Sequence, residues 1–232
     1  MIQVEGLAKY FGRFAALRDL RLTVQPGEFA ALFGRNGAGK TTFLRIIAGL
    51  SRPSSGAVRI VDGKPLPPHA ARGRTGYLSH STALYLDLTA IENLRFYSRL
   101  LGLPDTDAEL EERIRRVGLA GRGRDLVRNY SRGMQQRLAI ARAFLHDPGI
   151  LLLDEPFTGL DQAGTDFLKD YLLAEHGRGK TCIMAIHDAA LGYELADRLI
   201  VIDRGVVALD LEKRSTPFEQ FQSQFRRLAE ER

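Results

Sequence analysis

The string Gly34-Arg35-Asn36-Gly37-Ala38-Gly39-Lys40-Thr41 constrains this chain more than any other feature. It satisfies G-x-x-x-x-G-K-[ST] at every fixed position. An apolar run, Phe29 to Phe33, precedes it. A helically spaced segment, Thr41 to Leu50, follows it, with Phe43, Leu44, Ile47 and Ala48 on one side and Gly49 near its end. Glycines let a backbone close around an anion with its N–H groups turned inward, and the helix start adds favourable partial charge. Lys40 is spaced to reach the β- and γ-phosphates of a nucleotide, and the Thr41 hydroxyl a Mg²⁺ ion. Gly34, Asn36, Gly37, Ala38, Gly39, Lys40, Thr41 and Thr42 are therefore the candidate phosphate contacts. The motif indicates a nucleotide but not the kind of NTPase.

The rest of the chain reads as an α/β core with a helical insertion. Phe29 to Phe33, Ile150 to Leu153 and Thr181 to Ile186 are continuous apolar runs, the pattern of strands buried on both faces. Ile2 and Val4 alternate like a strand, and Ala57 to Val61 reads as another. Leu199 to Asp203 and Val206 to Leu209 flank Arg204-Gly205 as a hairpin. From Thr89 to Leu145 the period turns helical: Ile91, Leu94, Phe96, Leu100 and Leu101, then a charged stretch from Asp105 to Val117, then Met134, Leu138, Ala141 and Leu145. The tail from Arg214 reads as a loosely held amphipathic helix.

Composition bounds the partners. The 232 residues carry a net charge of +5, but the 27 arginines and six lysines are spread along the chain, so no nucleic-acid partner is expected. No apolar run approaches the roughly 18 residues that span a bilayer, and Met1 to Glu5 lacks the start of a signal peptide. Cys182, the one cysteine, fits a reducing compartment.

A second site begins where the run Ile150 to Leu153 ends in Asp154 and Glu155. Adjacent carboxylates at the end of a buried strand are costly unless they face a cation or a polar site. Beside a phosphate loop, Asp154 reads as the Mg²⁺ partner and Glu155 as the general base for an attacking water. The competing reading is an ordinary strand exit with solvated acids. Further along, Ser131 can cap a helix whose apolar stripe starts at Met134, and that helix start with the Gly133 backbone can bind an anion.

The order of these motifs resembles the ABC ATPase family over nearly the whole chain. After the phosphate loop come Tyr130-Ser131-Arg132-Gly133-Met134-Gln135-Gln136-Arg137, similar to the family signature, then Asp154-Glu155-Pro156, Gly159-Leu160-Asp161 and Ile186-His187-Asp188. The resemblance implies a P-loop NTPase core of ABC ATPase type (1–80 and 146–212) with an N-terminal antiparallel β part, an α-helical subdomain (81–145) and a C-terminal tail (213–232). It implies ATP and Mg²⁺ as cofactors, with Thr41 and Asp154 on the metal and Glu155, His187 and Lys40 in catalysis. It also implies a head-to-tail pair of subunits, in which Ser131 and Gly133 meet the γ-phosphate held by the second subunit and Gly159 and Asp161 line the interface. Phe11, with Tyr10 the alternative, would stack on adenine; the competing reading is a core aromatic in a hairpin. Membrane permease subunits would dock near Ser79 to Asn93, with the chain peripheral on the cytoplasmic side of the cell (inner) membrane.

Three departures stand out. Tyr130, Arg132 and Met134 replace three of the five residues of the usual Leu-Ser-Gly-Gly-Gln signature, and Arg132 either adds a cation near the γ-phosphate or faces solvent. In the loop Gly76 to Ser81, His80 stands where the family has a nucleotide-site glutamine, which predicts pH-sensitive ATPase activity. Finally His80, the run Leu88 to Tyr97 and Asp154 to Asp161 are similar to the haem exporter ATPases of cytochrome c biogenesis. Other ABC exporters of drugs, lipids or polysaccharides share parts of these strings. A soluble ABC ATPase acting on DNA or ribosomes would carry tandem cassettes, a coiled coil or zinc ligands, and a GTPase an Asn-Lys-x-Asp string; the sequence shows none of these.

Overall fold

Strict alternation in the central strands divides the core into two layers. The computed structural model describes residues 1–62, 64–66 and 73–230. In chain order the elements are β1 (Ile2–Phe11), β2 (Phe14–Val24), β3 (Phe29–Phe33), α1 (Lys40–Ile47), β4 (Ser55–Asp62), β5 (Lys64–Leu66), β6 (Thr75–Leu78), α2 (Ala90–Leu100), α3 (Asp107–Arg116), α4 (Arg132–Ala143), β7 (Ile150–Asp154), α5 (Gln162–Gly177), β8 (Thr181–Ala185), α6 (Ala189–Leu195), β9 (Arg198–Asp203), β10 (Val206–Glu212) and α7 (Phe218–Glu230). Ala30 and Leu32 of β3, Ile150 and Leu152 of β7, and Ile183 and Ala185 of β8 face one cluster with α1, β1 and β2. Phe29, Ala31 and Phe33, Leu151 and Leu153, and Cys182 and Met184 face the other, with the remaining helices. Period two along a strand makes this sorting automatic.

Among the described residues the strands form two sheets, one of order β2-β1-β4-β5 and one of order β10-β9-β3-β8-β7-β6. The first is antiparallel. The second is parallel from β9 to β6, with β10 added antiparallel at its edge. The β9–β10 turn has Arg204 and Gly205 both at positive φ, the type I′ geometry that matches strand twist, as the hairpin reading expects. Helices α2 and α3 each start with a reciprocal capping box, Thr89 with Glu92 and Thr106 with Glu109. Among the described residues no helix is long and apolar enough to cross a membrane. Cys182 is a buried free thiol, and burial pushes its pKa up to about 12.

Two expectations change. Thr75–Leu78 is not loop but strand β6, paired in parallel with β7, so the loop proper begins at Ser79. Gly76 permits this: a Cβ there would meet Ala143 O at 2.6 Å and the Pro148 ring at 2.7 Å. Nor is the tail loosely held. Phe221 of α7 is fully buried, its ring 4.9 Å from that of Phe33, and Phe225 stacks on Phe221 at 5.8 Å. Phe218, Phe221, Phe225 and Leu228 recur every three or four residues, and that stripe covers the end of β3.

Candidate functional site

The phosphate loop leaves the buried end of β3 under tight constraint. At Gly34, φ is 146°, and a Cβ would lie 2.2 Å from Ile202 O of β9. At Gly39, φ is 111°, and a Cβ would lie 2.5 Å from Ala16 O of β2. Neither position accepts a side chain, so the loop is clamped between β2 and β9 by its own glycines. Gly39 caps α1 without a side-chain acceptor, and no acid stands in the first turn, so the positive helix end is unopposed. The Lys40 ammonium folds back onto the loop and donates to Gly34 O at 2.7 Å and Arg35 O at 3.3 Å. Burial lowers its pKa, while Glu155 and Asp154 pull the other way. Asn36 and Gly37 are exposed, Ala38 is buried, and Thr41 and Thr42 open the helix.

Opposite the loop, β7 delivers the two carboxylates in different directions. Asp154 is buried, and each of its oxygens is held: Thr41 Oγ1 donates to Oδ1 at 3.0 Å, and the Tyr77 hydroxyl donates to Oδ2 at 3.2 Å. Burial raises the Asp154 pKa against the pull of those two hydrogen bonds. Burial and then the Asp154 charge drive the Tyr77 phenol far above its ordinary range, so it stays a donor. Among the described residues no group of three or more His, Cys, Asp or Glu gathers as a metal cage. A hydroxyl and one carboxylate are the donors a Mg²⁺ ion takes when phosphate and water supply the rest, so Thr41 and Asp154 fit that ion.

Glu155 turns away from Asp154 because its backbone is left-handed, φ 53°, with its N–H donating to Ala185 O at 3.0 Å. Its Oε1 lies 2.6 Å from Nε2 of His187, just beyond β8. An ionised carboxylate only accepts, so in this contact the imidazole is the donor when Nε2 carries its proton. The structure thus brings Thr41, Asp154, Glu155 and His187 to the carboxyl ends of parallel strands, where open α/β sheets bind ligands.

The remaining candidates sit on other elements. Ser131 caps α4, accepting from Met134 N at 3.3 Å, and Gly133 lies in its first turn. Tyr130 is buried, donating its hydroxyl to Arg122 O at 2.7 Å. Arg132 is exposed, and its guanidinium lies across Gly159 and donates to Thr158 O at 3.4 Å. Asp161 caps α5 through Gly164 N at 2.8 Å. His80 is exposed, and its charge favours the Asp154 carboxylate when protonated. Phe11 is 55% exposed and Tyr10 50%, at the tip of the β1–β2 hairpin, which removes the core-aromatic alternative.

Sequence reasoning missed Tyr77, Gln136 and Asn93. Gln136 donates from α4 to Pro156 O at 2.9 Å, tying the signature helix to the segment after Glu155. Asn93 is fully buried and bonds both the N–H and the carbonyl of Tyr85. Asn93 and Gln136 are polar residues inside helical apolar patterns, which is the signal that could have found them.

A family model described as ABC transporter matches residues 17–158. This chain belongs to that ABC transporter family. Among curated ABC relatives it is 37% identical over 211 residues to the Nod factor export ATP-binding protein I of Cupriavidus metallidurans, covering 88% of this chain and 69% of that one. To the ABC transporter ATP-binding protein NatA of Bacillus subtilis it is 39% identical over 197 residues, covering 83% and 80%. The dimeric post-hydrolysis state of an ATP-binding cassette with ADP and Pi superposes at TM-score 0.81 and 26% identity, over 93% of this chain and all of the other. An ATP-binding subunit of an ABC transporter superposes at 0.83 and 27%, over 97% and 99%. The chain is thus an ABC-type ATP hydrolase that uses ATP with Mg²⁺.

Proposed function

We propose that this chain powers a membrane transporter as one half of a head-to-tail ATPase pair. The observation that carries the reading is the Glu155–His187 contact of 2.6 Å beside the Thr41–Asp154 contact of 3.0 Å. In support, these four side chains lie together at one end of the sheet. Lys40 and the N–H groups from Gly34 to Thr42 hold the triphosphate. Thr41 and Asp154 hold Mg²⁺, whose charge neutralises the phosphates when bound. Glu155 takes the proton of the attacking water, and His187 orients Glu155 and the γ-phosphate. Phe11 stacks on adenine. Ser131, Gly133, Gly159 and Asp161 complete the site of a second copy. ATP closes the pair and hydrolysis reopens it.

Residues 1–80 and 146–212 form the ATP-binding core and 81–145 the helical subdomain that meets the permease near Ser79 to Asn93. In support, Tyr85 and Leu86 are exposed there, and Tyr85 lies edge to face with exposed Phe96 at 5.0 Å just beyond that segment. This reading makes the chain peripheral on the cytoplasmic side of the membrane. His80 is its pH-sensitive element, and His80→Gln should flatten the ATPase pH profile.

The finer reading is haem export in cytochrome c biogenesis, supported by His80, the run Leu88 to Tyr97 and the string Asp154 to Asp161. Relatives of comparable identity are named for Nod factor export, sulfate/thiosulfate import and Fe(3+) ion import, and this reading leaves the choice of cargo to the permease. The test is to solubilise membranes carrying tagged Glu155→Gln protein with ATP and Mg²⁺ and identify what co-purifies. Cytochrome c maturation proteins with a haem absorption band are the expected result. An unrelated permease would discard the haem reading alone, and ribosomes or DNA without a membrane protein would discard the transporter.

A further inference from the structure

We propose that Tyr77 is a positioning residue for Mg²⁺–nucleotide binding, fixing the Asp154 carboxylate so that Oδ1 faces Thr41. The inference rests on Asp154 being the metal-side carboxylate.

The terminal torsion of an aspartate is broad and roughly two-fold, so a carboxylate held through one oxygen still swings. Asp154 is held through both. Thr41, on α1, takes Oδ1 at 3.0 Å, and Tyr77, on β6, takes Oδ2 at 3.2 Å. A hydroxyl can offer a lone pair to a cation and still donate its proton, so Thr41 fixes only Oδ1. Tyr77 holds the other oxygen, and without it the carboxylate is free to turn about that single bond.

Tyr77 is itself well anchored. Its strand pairs with β7 in register, Tyr77 opposite Leu152. Its carbonyl accepts from Arg142 Nη2 of α4 at 3.4 Å, and that guanidinium lies over the Tyr97 ring at 5.1 Å. Gly76 lets the strand lie directly against Ala143. The phenol is thus delivered by a sheet and braced by a helix, not by the mobile end of a long side chain.

Mg²⁺ makes the consequence specific. It demands near-ideal octahedral geometry, whereas Ca²⁺ takes six to eight oxygens in a flexible shell. A loosened carboxylate therefore penalises Mg²⁺ more than Ca²⁺, and nucleotide without metal not at all.

The experiment is calorimetric binding of a non-hydrolysable ATP analogue to the full chain, in EDTA, in Mg²⁺ and in Ca²⁺, for wild type, Tyr77→Phe and Asp154→Asn. For Tyr77→Phe we expect unchanged affinity in EDTA, a loss on the order of tenfold in Mg²⁺, and a smaller loss in Ca²⁺. The EDTA arm also reports folding. Equal losses in all three conditions, or none in Mg²⁺, overturn the assignment and leave Tyr77 a structural bond. If Asp154→Asn keeps the full Mg²⁺ enhancement, the metal-side reading of Asp154 fails and the tyrosine role falls with it. If Asp154→Asn abolishes that enhancement and Tyr77→Phe preserves it, only the role of Tyr77 fails.

Discussion

Glu155 holds a backbone conformation that costs a residue with a side chain about 1–3 kcal/mol, and the neighbouring strand fixes it through Ala185 O. That local cost aims the carboxylate at His187 instead of along β7 beside Asp154. His146 shows the opposite arrangement, a titratable group outside the site whose burial lowers its pKa below 6.5. Its folded pKa lies below its unfolded one, so the unfolded chain binds the extra proton. Stability is therefore full above about pH 6.5 and is lost as pH falls from there toward the folded pKa. Urea denaturation of wild type should show falling stability over that window, and His146→Gln should flatten the slope. An equal slope in both would place the acid sensitivity elsewhere.

Among the elements, α7 carries the largest departure from the sequence reading and the clearest energetic prediction. Phe221 is fully buried against Phe33, the residue just before the phosphate loop. Phe221→Ala should cost about 3–5 kcal/mol by the lost transfer and cavity terms. Denaturant midpoints would record it, and a loss under 1 kcal/mol would mean that α7 is not docked in solution. The stripe of Phe218, Phe221, Phe225 and Leu228 was legible as amphipathic, but its partner was not, because Phe33 is far away in sequence. The same distance hid Tyr77, whose bond to Asp154 spans 77 positions. By contrast the phosphate loop, the Asp154-Glu155 pair and the Arg204-Gly205 turn are legible because spacing within a few residues specifies them. Strand β6 escaped because four residues, one of them glycine, offer too little alternation to read.

For the molecule as a whole, the proposed pairing has Ser131 and Gly133 at the start of α4 face the phosphate loop of a second copy. Gly133→Asp tests this with opposing signs. An acid in the first turn of α4 suits the helix dipole by about 0.3–1 kcal/mol, yet repels a phosphate presented by a second copy. Melting temperature and ATP binding to the loop should hold, while ATPase activity and ATP-dependent dimerisation seen by light scattering should collapse. Retained dimerisation would remove Ser131 and Gly133 from the interface. Cys182 makes such an assembly easy to follow. Its thiol is sealed between layers and stays protonated at neutral pH, so it is inert to maleimides. A cysteine introduced at exposed Glu219 on α7, outside the proposed interface, would then be the one labelled position, and spectroscopic distances between subunits could be read on a chain that keeps its native thiol.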